Sequence, residues 1–134
     1  IARKAIRLHL APPLLLVHLK RFQFVQSRNV YRKLAHRIVF TDQLGLSFHH
    51  PSRLVHYRLC GFVVHIGAGV NGGHYIACCR TGVNGSVWRK FDDTNVNIIQ
   101  DSDIEEYFGS FVPLHESQES STAYILLYAL QVDG

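Results

Sequence analysis

The pair Asn84-Gly85 lies between two apolar runs, and it constrains the local fold more than any other feature of the chain. Asn-Gly is the strongest short-range signal for a β-hairpin, because both central residues of a type I′ turn need positive φ. We predict a hairpin with strands at 74–80 and 86–91. His74 then begins the first strand and Asp92 follows the second, so an imidazole and a carboxylate lie at the same end of the hairpin.

His74 and Asp92 together are a candidate catalytic pair. A carboxylate that fixes the tautomer of an imidazole and stabilises its protonated form makes the histidine an effective general base. A two-residue turn at Asn84-Gly85 would place residue 77 opposite Asp92, which leaves His74 roughly 10 Å away along the strand. We therefore predict a bulge or a bend at Asp92 that brings the two side chains together.

The rest of the chain has mostly strand patterns. Apolar runs predict strands at 14–19, 54–66, 96–99 and 122–130, the first two of them covered on both faces. Alternation along 54–66 predicts that Leu59, Gly61, Val63 and His65 share one face and that Arg58, Cys60, Phe62, Val64 and Ile66 share the other. Segments 23–36 and 49–52 are predicted as loops.

A short helix is predicted at 101–108. Ser102 and Glu105 have the spacing of a capping box, and Gly109 is placed to end the helix. Several strands and one short helix predict an antiparallel, sheet-rich α+β fold. Its apolar sheet faces need a covering partner, so we expect the isolated chain to associate.

Length and composition favour a single domain, since the chain has 134 residues of which 47% are hydrophobic. No apolar run is long enough to span a membrane. The chain has no Met and no secretory signal, and we expect it to be part of a longer polypeptide. Cys60, Cys78 and Cys79 have no CxxC spacing, which favours buried thiols in a reducing compartment over a disulfide framework or a zinc site.

The charge is distributed unevenly along the chain. Residues 1–41 contain nine Lys or Arg and no acidic residue, whereas residues 42–134 contain five basic and ten acidic residues. A solvated basic face, together with residues that pair with a missing segment, accounts for the basic residues at 1–41. A nucleic-acid-binding patch is the alternative. No groove-reading motif accompanies the basic residues, so we expect no nucleic acid as partner.

The segment 67–73 joins the strand at 54–66 to the hairpin, and four of its seven residues are glycine. A phosphate-binding loop needs a following helix to supply amide groups, and here a strand follows. Glycine instead allows a loop to change shape and an extended ligand to lie against the backbone. We predict a mobile gate beside His74.

Five blocks in this order resemble the C-terminal half of the catalytic domain of ubiquitin-specific proteases, which are cysteine isopeptidases of papain-like architecture. The resemblance covers nearly the whole chain, which it implies is a partial catalytic domain over 1–134. The blocks are APPLLLVHLKRF at 11–22, YRLCGFVVHIG at 57–67, GHYIA at 73–77, WRKFDDTNV at 88–96 and AYILLY at 123–128.

The resemblance implies roles for individual residues. His74 matches the general base, Asp92 the acid that orients it, and Asp93 a neighbouring polar residue that in some members supports the oxyanion or the triad. Residues 67–73 and 26–32 match the two blocking loops of the family. The residues that match the narrow channel for the Gly-Gly tail of ubiquitin are Gly67, Gly69, Gly72, Gly73 and Tyr75.

The resemblance also implies what the chain lacks. Nothing here resembles the box with the nucleophilic cysteine, and the paired CxxC motifs of the zinc-binding fingers are absent. The implied function is thiol-dependent hydrolysis of the isopeptide bond after the C-terminal glycine of ubiquitin, inside the cell in cytoplasm or nucleus, with no cofactor and no metal. The implied partners are ubiquitin and the missing N-terminal half. The alternative is a non-catalytic ubiquitin-binding scaffold module that has no nucleophile.

Overall fold

The computed structural model describes residues 1–49 and 52–132, so the predicted loop residues His50 and Pro51 lie outside the described part. A one-turn 3₁₀ helix lies at Val83–Gly85 and a longer one at Asp101–Tyr107. The strands in these ranges are β1 (Leu14–His18), β2 (Phe22–Val25), β3 (Val30–Lys33), β4 (Gln43–His49), β5 (Ser52–Gly67), β6 (His74–Thr81), β7 (Val87–Asp92), β8 (Asn95–Ile99) and β9 (Ser120–Leu130).

Seven strands form one antiparallel sheet in the order β1-β9-β5-β6-β7-β8, with β4 paired to the first half of β5. β2 and β3 form a separate hairpin. The predicted sheet-rich α+β fold is confirmed, and β5 is the central strand because it pairs with β4, β6 and β9. No helix in 1–49 or 52–132 is long and apolar enough to cross a membrane.

The hydrophobic core covers one face of this sheet. Phe62 of β5 lies at its centre, with ring centroids 5.3 Å from Phe40, 5.7 Å from Trp88 and 5.8 Å from Tyr107. The 3₁₀ helix at Asp101–Tyr107 contributes Tyr107 to this core and therefore covers the sheet beside the β6–β7 hairpin. Aromatic pairs at these distances add to the stabilisation that their buried area provides.

The predicted faces of β5 are wrong beyond residue 59. Leu59, Phe62 and Val64 all belong to the core, although alternation predicted Leu59 on the opposite face from the other two. The pairing of β5 with β9 shifts register between Leu59 and Gly61, which is a β-bulge or equivalent irregularity. One extra residue in a strand exchanges the faces of every residue after it.

The predicted hairpin is present, but its loop is longer than predicted. Thr81 pairs with Val87 and Ala77 with Phe91, so five residues, 82–86, connect the strands instead of two. Gly82, Asn84 and Gly85 all have positive φ, at 78°, 56° and 64°. The loop is closed by the one-turn 3₁₀ helix, and a two-residue type I′ turn is not formed.

Three other segments differ from their predictions. β1 is an edge strand with Leu14 and Leu16 about 60% exposed, at 58% and 63%, and is not covered on both faces. The predicted loop at 23–36 contains the β2–β3 hairpin, whose turn includes Asn29 at a φ of 52°. The helix at 101–107 is 3₁₀, and Asp103 rather than Glu105 caps it by accepting the N–H of Gln100.

The basic residues of segment 1–41 mostly have structural partners. Arg21 is fully buried, and its guanidinium donates to the carbonyl oxygens of Leu34, His36, Phe108 and Ala123. Six of the nine basic residues contact a carbonyl, a polar side chain or an aromatic ring: Arg7, Arg21, Arg28, Arg32, Lys33 and Arg37. Their charge is used within the fold, which favours the structural interpretation of this segment over a nucleic-acid patch.

Candidate active site

His74 and Asp92 are in contact. The Nε2 atom of His74 lies 2.5 Å from Oδ1 of Asp92, and both side chains are about 40% exposed, at 41% and 39%. An ionised carboxylate only accepts hydrogen bonds, so Nε2 carries the hydrogen and Nδ1 is the basic nitrogen. Nδ1 makes no hydrogen bond with any residue that the structure describes, and it is therefore free to accept a proton from another group.

Strand geometry brings the pair together without a bulge in the hairpin. β6 and β7 stay paired only as far as Ala77 and Phe91, and beyond that point β6 pairs with β5 alone. The chain turns immediately after Asp92, at Asp93 with a φ of 51°, to begin β8. Of the two predicted irregularities, a bulge or a bend at Asp92, the β6–β7 ladder contains no bulge, and the chain instead bends in a tight turn directly after Asp92.

The acidic environment changes the basicity of His74. The hydrogen bond to Asp92 raises the pKa of His74 above its ordinary value, and the charges of Asp92 and Asp93 act in the same direction. The imidazolium form therefore persists to a higher pH than in an isolated histidine. This is the electrostatic arrangement that a histidine needs if it must hold a proton and then release it.

The glycine loop, residues 67–73, leads directly into His74 and is closed at its base. A Cβ on Gly67 would lie 3.1 Å from Cα of Gly73, so the two ends of the loop are in contact. Gly67, Gly72 and Gly73 have positive φ, at 151°, 115° and 114°. Gly69 has nothing within 4 Å of its Cβ position, and the outer part of the loop is open.

His65 lies beneath the glycine loop and is a residue that the sequence did not single out. Its side chain is buried, its Nε2 lies 3.3 Å from the carbonyl oxygen of Gly72, and its ring is 5.1 Å from that of Tyr75. Phe22 contacts the same ring at 5.3 Å. Tyr75 itself is 54% exposed, so its ring is accessible to solvent beside His74.

Comparison with known families shows which family this chain belongs to. The model of the family described as ubiquitin carboxyl-terminal hydrolase matches residues 2–128. The chain belongs to this family. The resemblance found in the sequence is confirmed at that level, and so is the papain-like, sheet-rich fold class.

Relatives and solved structures agree with this family assignment. Over 132 residues, 95% of the chain, it is 37% identical to ubiquitin carboxyl-terminal hydrolase 4 of Arabidopsis thaliana and 38% identical to ubiquitin carboxyl-terminal hydrolase 12 of Salmo salar. Those alignments cover 34% of each relative, so the chain spans about a third of their length.

Solved structures of SAGA DUB modules match the chain over 94% of its length. A chain of a yeast SAGA DUB module with an Sgf73 mutant matches with a TM-score of 0.73 at 30% identity, over 27% of its own length. A chain of the SAGA Ubp8/Sgf11/Sus1/Sgf73 DUB module bound to ubiquitin aldehyde matches with a TM-score of 0.71 at 28% identity, over 26% of its length.

The cysteines of this ubiquitin carboxyl-terminal hydrolase family member are free thiols. Burial raises the pKa of Cys78 to about 12, and burial also raises the pKa of Cys60 and of Cys79. A nucleophilic cysteine needs a lowered pKa, because the thiolate is the reactive form. None of the three hydrogen-bonds to His74, and Cys78 lies four residues along β6 from it, roughly 13 Å at strand rise.

Asp93 stands beside the pair and completes a set of three possible metal ligands. Atoms of His74, Asp92 and Asp93 lie within 4.8 Å of one another. A structural zinc site has four protein ligands and a catalytic one has three, so a divalent ion is chemically compatible with this set. The same groups make up the hydrogen-bonded pair, and a bound ion would occupy the nitrogen or the carboxylate that the pair needs.

The Asp92→Asn variant tests the electrostatic coupling. We expect the pKa of His74 to fall, because the amide removes both the charge-assisted hydrogen bond and the negative charge that raise it. The imidazole resonances followed by NMR against pH report this pKa directly. Asp93→Asn is the matched control and should lower the pKa less, since Asp93 acts only through its charge. A pKa that does not fall in Asp92→Asn would contradict the coupling.

Proposed function

We propose that residues 1–134 are the His/Asp half of a ubiquitin-specific protease catalytic domain. In this proposal the full polypeptide hydrolyses the isopeptide bond after the C-terminal glycine of ubiquitin, and this chain supplies the general base His74 and the orienting acid Asp92. The observation that carries the proposal is the 2.5 Å contact between Nε2 and Oδ1, which leaves Nδ1 free in a member of this family.

The proposed reaction uses a cysteine outside this half. That cysteine transfers its proton to Nδ1 of His74, and its thiolate attacks the isopeptide carbonyl. His74 then protonates the departing lysine amine, and water releases ubiquitin from the acyl-enzyme. Asp92 accepts the Nε2 hydrogen throughout, which keeps the ring oriented and stabilises the imidazolium. The raised pKa values of Cys60, Cys78 and Cys79 support placing the nucleophile elsewhere.

The proposed substrate site is the channel beside His74. Gly67, Gly69, Gly72 and Gly73 would form one wall and Tyr75 its rim, and the exposed ring of Tyr75 suits contact with an extended tail. One solved structure that the chain resembles is bound to ubiquitin aldehyde, which supports ubiquitin as the partner. Asp93, exposed at the turn after Asp92, is proposed to support the oxyanion or the imidazolium.

Hydrolysis of a fluorogenic C-terminal amide of ubiquitin by the native polypeptide tests this function. We expect turnover that a thiol alkylator abolishes, together with covalent capture by a ubiquitin probe that carries a C-terminal electrophile. Ubiquitin binding without turnover or capture would replace the proposal with the scaffold alternative. Neither binding nor turnover would reject both. We also propose an intracellular location, in cytoplasm or nucleus, because both this function and the free thiols fit a reducing compartment.

A further inference from the structure

Lys33, the last residue of β3, has an unusual set of partners. Its Nζ donates to three main-chain carbonyl oxygens, at 3.0 Å to His65, 3.1 Å to Gly67 and 2.7 Å to Ser120. An ammonium group has three donors, and here all three are used. The structure describes no carboxylate paired with this charge, so the backbone carbonyls are what hold it.

Those three carbonyls lie at the base of the glycine loop. His65 and Gly67 are at the end of β5, and Ser120 begins β9 as the pairing partner of Gly67. Gly67 in turn contacts Gly73, the residue before His74. Lys33 is therefore connected to His74 through the contact between Gly67 and Gly73. Its side chain extends from the β2–β3 hairpin to the ends of β5 and β9.

Lys33 also connects the β2–β3 hairpin to the glycine loop. It belongs to the β2–β3 hairpin, whose turn carries residues 26–29, while its amine holds the first residue of the glycine loop. The buried ring of His65 contacts both Phe22 of the same hairpin and Tyr75 of β6. The buried Arg21 fixes the start of this hairpin to Phe108 and Ala123, and the half-buried Lys33 fixes its end to the base of the glycine loop.

We propose that Lys33 is a positioning residue that ties the β2–β3 hairpin to the glycine loop and thereby sets the geometry of the ubiquitin-tail channel. The proposal rests on the proposed function for the identity of the ligand, but the tie itself is a property of the fold. Burial and the nearby charge of Arg21 lower the pKa of Lys33 to about 8, which is the cost of holding an ammonium where only carbonyls face it.

Substrate kinetics of the native polypeptide separate positioning from stability. We expect Lys33→Met to raise KM for the ubiquitin amide about tenfold, because the variant loses all three hydrogen bonds to the base of the glycine loop, while kcat of the folded enzyme changes little. Lys33→Arg should keep KM close to that of the parent protein, because Lys33 borders a cleft of about 360 Å³ that has room for a guanidinium. Lys20→Met, at an exposed lysine, is the matched control and should leave both constants unchanged.

Hydrogen–deuterium exchange gives a readout that needs no activity. We expect Lys33→Met to accelerate exchange in both 26–32 and 67–73, and Lys20→Met to accelerate neither. Faster exchange in only one segment, or an unchanged KM with a lowered kcat, would overturn the proposal. If Lys33→Met does not fold, Lys33→Gln decides by the same criteria. Absence of turnover in the parent protein would reject the proposed function alone, since the exchange result stands without it.

Discussion

Replacement of His74 by alanine is expected to reduce hydrolysis of a ubiquitin amide by about 10²- to 10⁴-fold in the native polypeptide, the range that general acid–base catalysis supplies. In the proposed reaction Nδ1 of His74 accepts the thiol proton and later protonates the leaving amine, so loss of the imidazole would affect both steps. The measurement is kcat/KM with a fluorogenic substrate, beside the affinity for ubiquitin. We expect the affinity to stay close to that of the parent protein.

His56→Ala is the matched control for His74→Ala. His56 is an exposed histidine on β5, paired with Gly45 at the end of the strand remote from the glycine loop. We expect this variant to keep full activity, which shows that removal of an imidazole from the sheet is harmless in itself. Activity retained in His74→Ala would contradict the assignment of the base, and equal loss in both variants would indicate a structural effect.

The sequence was sufficient to predict the His74–Asp92 contact but not the register that produces it. Asn84-Gly85 predicts a turn locally, and residues 82–86 do form the turn. The register depends on burial instead. Cys78 and Trp88 both face the core, and the predicted two-residue loop would have placed them on opposite faces of the sheet. A loop of five residues puts both inside.

Long-range contacts explain what the sequence could not show. The bulge after Leu59 depends on pairing with β9, more than sixty residues later in the chain. Lys33 and Ser120, or Arg21 and Ala123, are likewise far apart in sequence, and no local pattern marks a cation that binds only carbonyls. The sequence marks His65 only as a histidine within an apolar run, and nothing local predicts its contacts with Gly72 and Tyr75. By contrast, the strands at β5, β8 and β9 were predictable because these segments are locally rich in Val, Ile, Leu and aromatic residues.

Substitution of Gly73 by alanine is the second change with a large expected effect. A Cβ at Gly73 would lie 2.6 Å from Nε2 of His65 and 2.6 Å from the carbonyl oxygen of Ile66, at a φ of 114°. The backbone conformation alone costs a non-glycine residue about 1–3 kcal/mol. Overpacking against a buried ring costs a further 1–3 kcal/mol or so, because the neighbouring backbone of β5 cannot move freely.

Three glycines of the same loop separate these two costs. Gly72 has a φ of 115° but open space at its Cβ position, and Gly69 has open space and no positive φ. We expect the free energy of unfolding to be unchanged in Gly69→Ala, moderately lowered in Gly72→Ala and most strongly lowered in Gly73→Ala. We also expect kcat/KM for the ubiquitin amide to fall further in Gly73→Ala than in Gly72→Ala. Chemical denaturation and kinetics of the native polypeptide measure both quantities.

The relative size of the effects in the three variants identifies their physical cause. Equal effects in Gly72→Ala and Gly73→Ala would mean that backbone strain alone matters and that contact with His65 is unimportant. A large effect of Gly69→Ala on the free energy of unfolding would contradict the open space at its Cβ position. The expected order instead requires the base of the loop to be closed against His65, which is also the place where Lys33 holds Gly67. The same closed base would then support both the position of His74 and the wall of the channel.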